Sequence, residues 1–343
     1  MPLLDALVGD DEIENLLSDA AQLGAMLAFE RALAEAEAEA GLIEADAGLA
    51  IAATIDRFTP DWDDLAKGLS RDGVVVPALL RQIRAVLGEP HARALHHGAT
   101  SQDVIDTVLM LQLSKIIPIF IERLTALQSA FGGLAERHGQ QSLMAHTRMQ
   151  QALPFTVADK LRTWVEPLDR HRAALSGIRR QLLVIQLGGP IGDRSSFSGK
   201  GDEVARGLAK RLDLGIAEPW HANRDPLVAF GSLLSLLTGS LGKFGADVAL
   251  LAQNEIGSIS LAGGGTSSAM PHKSNPVQAE ILVALARFNA GLVGTLHQAL
   301  VHENERSGAA WTLEWLTLPP MLVTTGASLR LALALAGQIS FGE

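Results

Sequence analysis

The sequence contains no cysteine and no tyrosine. Without cysteine there can be no disulfide framework, no thiolate nucleophile and no cysteine-ligated metal site, and the composition fits a cytoplasmic location. Without tyrosine, the candidate acids and bases are limited to serine, histidine, lysine, aspartate and glutamate. Any acid–base chemistry must use this short list.

Basic stripes and membrane-length apolar runs are also missing. The net charge is -10, and no cluster of lysine and arginine predicts a nucleic-acid partner. The most apolar stretch, residues 227–241, is interrupted by serine and glycine and is shorter than the roughly 20 residues that a membrane span needs. We therefore expect a buried helix there and no membrane partner. An anionic substrate remains compatible with the acidic chain, because a pocket's local field can oppose the net charge.

Apolar residues recur at helical spacing along almost the whole chain, which predicts an all-α fold. Five patterns are longer than the roughly 8–20 residues of ordinary globular helices and predict a long-helix bundle. They run from Ser101 to His138, from Phe155 to Leu187, from Pro226 with Asp225 as its cap, from Pro276 to Leu300, and from Thr312 to Ala336. Glycines at positions 231, 239, 242 and 245 predict close approach of other helices to the third pattern.

The breaks suggest two regions, an N-terminal helical domain over residues 1–98 and a central bundle domain over residues 99–343. The bundle helices present more apolar surface than one chain can cover. We therefore expect the chain to oligomerise.

The segment from Gly263 to Glu280 reads GGGTSSAMPHKSNPVQAE. Asn275 and Gln278 have the spacing of a capping box for the helix after Pro276, and backbone N–H groups at such an end attract a carboxylate. Lys273 adds a positive charge. Glycines followed by a capped helix also occur in ordinary flexible loops, so this pattern alone does not establish a site.

TSSAMPHKSNP resembles the signature loop of the fumarase/aspartase superfamily, with Thr266 where glycine is usual. The resemblance implies that Ser267 is the catalytic base or acid, with Ser268 as the alternative. It implies further that Lys273 and Asn275 hold a substrate carboxylate. A serine can serve as a base only if a cation, a helix end and a dry loop stabilise its alkoxide.

A second segment, HHGATSQDVIDT over residues 96–107, is similar to another signature of the superfamily. By itself it predicts a helix N-terminus capped by Thr100 or Ser101. The resemblance implies that these two hydroxyls grip a substrate carboxylate and that His96 lies at the pocket edge.

The third segment, HTRMQQALP over residues 146–154, matches the superfamily pattern at Gln150 but carries Arg148 where a histidine is usual. Arginine stays protonated and cannot cycle a proton, so Arg148 is expected to bind an extra carboxylate instead. His138, ten residues earlier, is then a weak candidate acid, and the sequence favours an ordinary exposed histidine at this position.

A fourth segment, ENERSGAAWTLEW over residues 303–315, resembles the form found in the carboxymuconate cycloisomerase branch, with Arg306 as a further carboxylate clamp. The resemblance implies a homotetramer of five long helices per chain, with shared active sites, a small polycarboxylate substrate, and no cofactor or metal. The superfamily's third, C-terminal domain is expected to be absent or truncated. Alternatives are an adenylosuccinate- or argininosuccinate-type lyase and a non-catalytic, crystallin-like scaffold.

Overall fold

The computed structural model describes residues 2–266, 270 and 274–342. Twelve α-helices account for most of this part of the chain. They are α1 (Pro2–Val8), α2 (Asp11–Leu17), α3 (Asp19–Glu39), α4 (Ala45–Ile55), α5 (Trp62–Asp72), α6 (Val76–Leu87), α7 (Ser101–His138), α8 (Val157–Leu182), α9 (Gly201–Leu212), α10 (Asp225–Leu251), α11 (Val277–Gln298) and α12 (Gly308–Ala336).

Six short strands form three antiparallel pairs within the described ranges, β1 with β2, β3 with β6, and β4 with β5. Their bounds are β1 (Ser142–Thr147), β2 (Gln150–Thr156), β3 (Ile259–Leu261), β4 (Gly265–Thr266), β5 (Ser274–Asn275) and β6 (Ile339–Phe341). The predicted all-α class is confirmed, and the strands are short additions at the ends of helices.

Helices lie at the five predicted positions, as α7, α8, α10, α11 and α12, and α3, with 21 residues, is nearly as long as the 22-residue α11. The prediction for α7 is confirmed at both ends, whereas α8 starts at Val157 because the preceding residues form the β1–β2 hairpin. Asp225 was predicted to cap α10, but it is the helix's first residue and Arg224 is the N-cap. The predicted capping box of α11 is also wrong, because Pro276 is the N-cap and makes no side-chain cap hydrogen bond.

Two apolar cores hold the described chain together. The larger one lies among the five long helices, and the smaller one joins α3–α6 and α9 to the start of α7. α10 lies against α11 so closely that a Cβ on Gly242 would meet the Ala286 Cβ at 2.5 Å, and one on Gly231 would meet a Leu296 methyl at 2.2 Å. The predicted close approach is confirmed at these glycines and at Gly245, but Gly239 has open space around it.

Four helices, α7, α10, α11 and α12, are long and apolar enough to cross a membrane, judged by length and composition. The sequence analysis expected residues 227–241, which lie in α10, to be too short for a membrane span, so that expectation is not met. In α7, α10 and α12 more than half of the most apolar window is buried inside the bundle. Packing against neighbouring helices therefore accounts for the apolar character of these three. α11 is different, since only 28% of its window is buried.

Candidate functional site

One end of the bundle brings two of the sequence motifs together. Thr100 is the N-cap of α7, and Ser101 is the first residue of that helix. Arg306, which precedes α12, donates from Nη1 to the Thr100 Oγ1 at 2.9 Å. It also donates from Nη2 to the carbonyls of Pro190 at 2.6 Å and Gly189 at 3.3 Å. A guanidinium, a hydroxyl and a helix N-terminus thus converge, and each attracts an anion.

Asp103 fixes the backbone beneath this convergence. Its buried carboxylate accepts from the backbone N–H of Thr100 at 3.0 Å, of Gly188 at 2.8 Å and of Gly189 at 2.9 Å. The buried His221 lies 2.8 Å from the same carboxylate through Nε2. Asp103 thus holds the Thr100 backbone and also the turn whose carbonyls bind Arg306. It therefore sets the positions of the Thr100 hydroxyl and of the Arg306 guanidinium.

A second buried network joins the N-terminal ends of three helices. Arg224, before α10, donates to both oxygens of Asp106 on α7, at 2.7 and 3.1 Å, and to both oxygens of Glu314 on α12. Trp311 Nε1 donates to Asp106 at 3.0 Å, and His302 Nε2 lies 3.3 Å from Glu314. Burial opposes the charge of Arg224, but the two carboxylates more than compensate and raise its pKa. The site's two motifs are thus tied together through one cation.

Two glutamates of α3 face the two histidines that precede Thr100. Glu30 Oε1 lies 2.7 Å from His96 Nδ1, and Glu37 Oε1 lies 3.3 Å from His97 Nδ1. Burial, together with the charge of Glu30, raises the pKa of Glu37 to about 9. Burial lowers the pKa of His96, but the charge of Glu30 and its hydrogen bond outweigh burial and leave the pKa raised.

The other end of the bundle carries the hairpin segment. Thr147 pairs with Gln150, so Arg148 and Met149 are the two central residues of a tight turn. Both have positive φ, 48° and 66°, in a turn position where glycine and asparagine are usual. Such strain in non-glycine residues is concentrated at functional sites. Arg148, Met149 and Gln150 are all exposed at the hairpin tip.

The signature segment flanks a short strand pair. Thr266 pairs with Ser274, and Gly265 pairs with Asn275. These pairs hold together the two ends of the segment that carries the serine pair and the lysine. Ser267 and Lys273 themselves lie outside the described residues.

The predicted site residues that the structure describes are divided between the two ends of the bundle of one chain. His96, Thr100, Ser101 and Arg306 lie at the N-terminal end of α7. His138 is the last residue of the same 38-residue helix, which corresponds to about 57 Å at 1.5 Å per residue. The ring of His138 lies beside Phe341 with centroids 5.7 Å apart, and the hairpin with Arg148 and Gln150 follows within a few residues. Among the residues that the structure describes, one chain alone therefore does not bring these predicted site residues together.

Several polar residues at the Thr100 end were missed in the sequence analysis. Glu30 and Glu37 stand seven residues apart on an alanine-rich helix, a spacing that places two charges on one otherwise buried face and could have been noticed. His221 and Arg224 have no comparable signal, since they lie in an irregular segment far along the chain from their partners Asp103 and Asp106.

Two cavities flank this end of the bundle. One, of about 590 Å³, is lined by Arg306, Ser307, Trp311 and Thr312 together with residues 72–74. The other, of about 540 Å³, is mainly apolar and lies between α3, α5, α7 and α12. The first is large enough for a small polar ligand beside the guanidinium.

Comparisons with known proteins show which family the chain is similar to. The model of a family described as "Lyase" matches residues 8–289. A 3-carboxy-cis,cis-muconate cycloisomerase from Pseudomonas aeruginosa is 41% identical over 97% of this chain and 74% of its own length. The crystal structure of a 3-carboxy-cis,cis-muconate lactonizing enzyme from Pseudomonas putida has a TM-score of 0.92 at 38% identity, covering 100% of this chain and 78% of that one.

A fumarate lyase from Mesorhizobium sp. BNC1 has the same fold, with a TM-score of 0.91 at 30% identity, covering 97% of this chain and 76% of that one. The helical bundle, the order of the four motifs and these matches over nearly the whole chain point the same way. The chain is an enzyme that belongs to the lyase family of the fumarase/aspartase superfamily.

Proposed function

We propose that this chain is a 3-carboxy-cis,cis-muconate cycloisomerase that forms 4-carboxymuconolactone. The observation that carries the proposal is the bond from Arg306 to Thr100, which joins two motifs into one anion-binding end at the start of α7. The exposed Arg148 supplies a second fixed cation where a proton-cycling histidine is usual in related lyases. A substrate with three carboxylates requires several such cations. The relatives that bear this name supply the choice of substrate.

The proposed reaction closes a lactone within the substrate. A carboxylate oxygen forms a C–O bond to an alkene carbon, and the π electron pair moves onto the neighbouring carbon and its carboxylate. That carbon then takes a proton from Ser267, which regains one from solvent. The doubly charged aci-carboxylate intermediate would be stabilised by Lys273, Asn275, Gln150 and the Thr100–Ser101 helix end.

The leaving group of the reverse reaction is already a carboxylate. It needs little protonation, so the absence of a histidine at position 148 does not hinder this chemistry. His138, the other candidate acid, would then serve at most in support. This reasoning favours the cycloisomerase over a lyase that expels an amine.

We propose further that the active enzyme is a cytoplasmic homotetramer with shared sites. The two halves of the predicted site lie about 57 Å apart along α7, so they can meet only if one chain's Thr100 end lies against another chain's hairpin end. The largely uncovered α11 gives the bundle an apolar face for such packing.

Complementation tests the shared site. Inactive Thr100→Val and Lys273→Met chains, mixed and reassembled, should regain activity, because some sites then receive Thr100 from one chain and Lys273 from another. The matched control mixes Thr100→Val with Arg306→Met. These residues bond within one chain, so every mixed site keeps one defect and activity should stay absent. Equal recovery in both mixtures, or in neither, would contradict the shared arrangement.

Activity is tested by the ultraviolet loss of 3-carboxymuconate, alongside fumarate release from adenylosuccinate and argininosuccinate. The proposal requires turnover of the first substrate and its loss in Ser267→Ala. Fumarate release alone would make the chain a lyase of the same superfamily. Inactivity on all three substrates would favour a scaffold protein.

A further inference from the structure

His96, four residues before Thr100, is held by a buried carboxylate from another helix. Glu30 is 1% exposed, and the side chain of His96 is 10% exposed. Their contact at 2.7 Å uses Nδ1, so a proton on Nδ1 faces Glu30 and Nε2 is the ring nitrogen left for another partner. His96 has a φ of 61° and Gly98 a φ of 69°, and this left-handed turn leads directly into Thr100.

The charged groups around His96 come from three helices. Glu30 on α3 and Asp103 on α7 raise the pKa of His96, while burial and Arg84 on α6 lower it. The net effect is a raised pKa, which favours the imidazolium. Glu37, the other buried acid of α3, has a pKa of about 9 and is neutral near pH 7.5. Glu30 is therefore the counter-charge that His96 meets directly.

No group of three histidine, aspartate or glutamate side chains in the described part of the chain is arranged to hold an ion. An anion is better suited, because His96 stands four residues before the hydroxyl that receives Arg306, and the charge of Asp103 helps to raise the pKa of the ring and so favours its cationic form. Asp103 in turn binds the Thr100 backbone.

We propose that Glu30 is a positioning residue that holds His96 as a cation, with Nε2 available to bind one carboxylate of the substrate beside Thr100 and Arg306. The substrate's identity rests on the proposed function, whereas the pairing of Glu30 with a carboxylate-binding His96 does not. A tricarboxylate would then meet two cations at this end, Arg306 and His96, and the remaining cations at the hairpin end of a neighbouring chain.

The test is Glu30→Gln, in which the amide oxygen can still accept from Nδ1 but the charge is gone. Its matched control is Glu37→Gln, since Glu37 is also buried on α3 and faces a histidine, but is already uncharged near pH 7.5. The measurement is kcat and KM for 3-carboxymuconate between pH 6 and 8, where Glu37 stays largely uncharged. A His96 cation that binds a carboxylate is lost as the pH rises through its pKa, so kcat/KM should fall on the alkaline side.

In Glu30→Gln this alkaline limb should move to lower pH, and KM near pH 7.5 should rise roughly 10- to 100-fold, the loss of one charge-assisted contact, with a smaller change in kcat. Glu37→Gln should keep the wild-type limb. His96→Gln should raise KM to the same extent, and adding Glu30→Gln to it should cause no further loss. If Glu30 only stabilised the fold, Glu30→Gln would lower the stability of the protein without shifting the alkaline fall of kcat/KM. That result would overturn the proposal.

Two measurements do not depend on turnover. Nitrogen-15 NMR of the full-length protein should show the His96 ring titrating at lower pH in Glu30→Gln, and propane-1,2,3-tricarboxylate should bind more weakly to this variant than to Glu37→Gln. If these shifts occur but the wild type ignores 3-carboxymuconate, the proposed function fails and the role of Glu30 stands. An unchanged His96 titration with unchanged binding of the tricarboxylate overturns the role of Glu30.

Discussion

Arg224 is the single cation on which the buried network between α7, α10 and α12 depends. Its side chain is 0% exposed and is shared by Asp106 and Glu314. Arg224→Met keeps most of the aliphatic volume but leaves two buried carboxylates without their counter-charge. Removing one partner of a buried pair typically costs about 3–5 kcal/mol. We expect Arg224→Met to lower the free energy of unfolding by at least this amount at pH 7.5.

Chemical denaturation at a fixed protein concentration measures this loss, because subunit association otherwise shifts the apparent stability. The control is Arg71→Met, which breaks the exposed Arg71–Asp72 pair, in which Arg71 is 61% exposed, and should lower the free energy of unfolding far less than Arg224→Met. Adding Asp106→Asn and Glu314→Gln to Arg224→Met should recover part of the loss, since the unpaired charges are then removed. A loss below about 1 kcal/mol in Arg224→Met would refute the reasoning.

Three further predictions concern single residues. Because the pKa of Glu37 is raised to about 9 from an ordinary 4.5, its contribution to stability is present at low pH and is lost as the pH rises toward 9. Glu37→Gln should remove this dependence, worth at most about 1.4 kcal/mol per pH unit, in denaturation series from pH 5 to 9. Gly98→Ala should destabilise by about 1–3 kcal/mol more than Gly73→Ala in the same assay, because both have positive φ but only the Gly98 Cβ would meet Phe197, at 2.8 Å. Arg148→His should raise KM for 3-carboxymuconate by an amount equivalent to about 1.5–3 kcal/mol and create no fumarate release, as steady-state kinetics on all three substrates would show.

Local signals predicted the long helices well. The bounds of α7 follow from a capping threonine, an acidic residue three positions later and an unbroken apolar stripe, all within one segment. The β1–β2 hairpin was missed because its tip uses Arg148 and Met149 instead of the glycine or asparagine that marks a tight turn. The helix caps before α10 and α11 were misplaced by one residue, which is the usual limit of boundary assignment.

Site residues could be predicted from the sequence only where they lie in one of the recognised motifs. Thr100 and Arg306 were named from two separate motifs, and their bond across the fold was beyond any local pattern. The groups that support them, Asp103, His221 and Arg224, act through contacts between residues that are 85 to 118 positions apart in the chain. Only the three-dimensional arrangement brings such partners together.

Glu30 and Glu37 show that the fold decides which glutamates of one helix are buried. The segment AFERALAEAEAEAG consists of strong helix formers, but helix propensity alone does not predict which of its glutamates are buried. Glu30 and Glu37 are buried, because α3 packs against α7 and α9 on the face that carries both. A buried carboxylate is costly unless it meets a cation or takes up a proton. Glu37 takes up a proton and Glu30 contacts His96, so the cost of burying a carboxylate is offset differently at the two positions. Glu30 contacts the histidine whose pKa is raised and which stands beside the anion-binding end of α7.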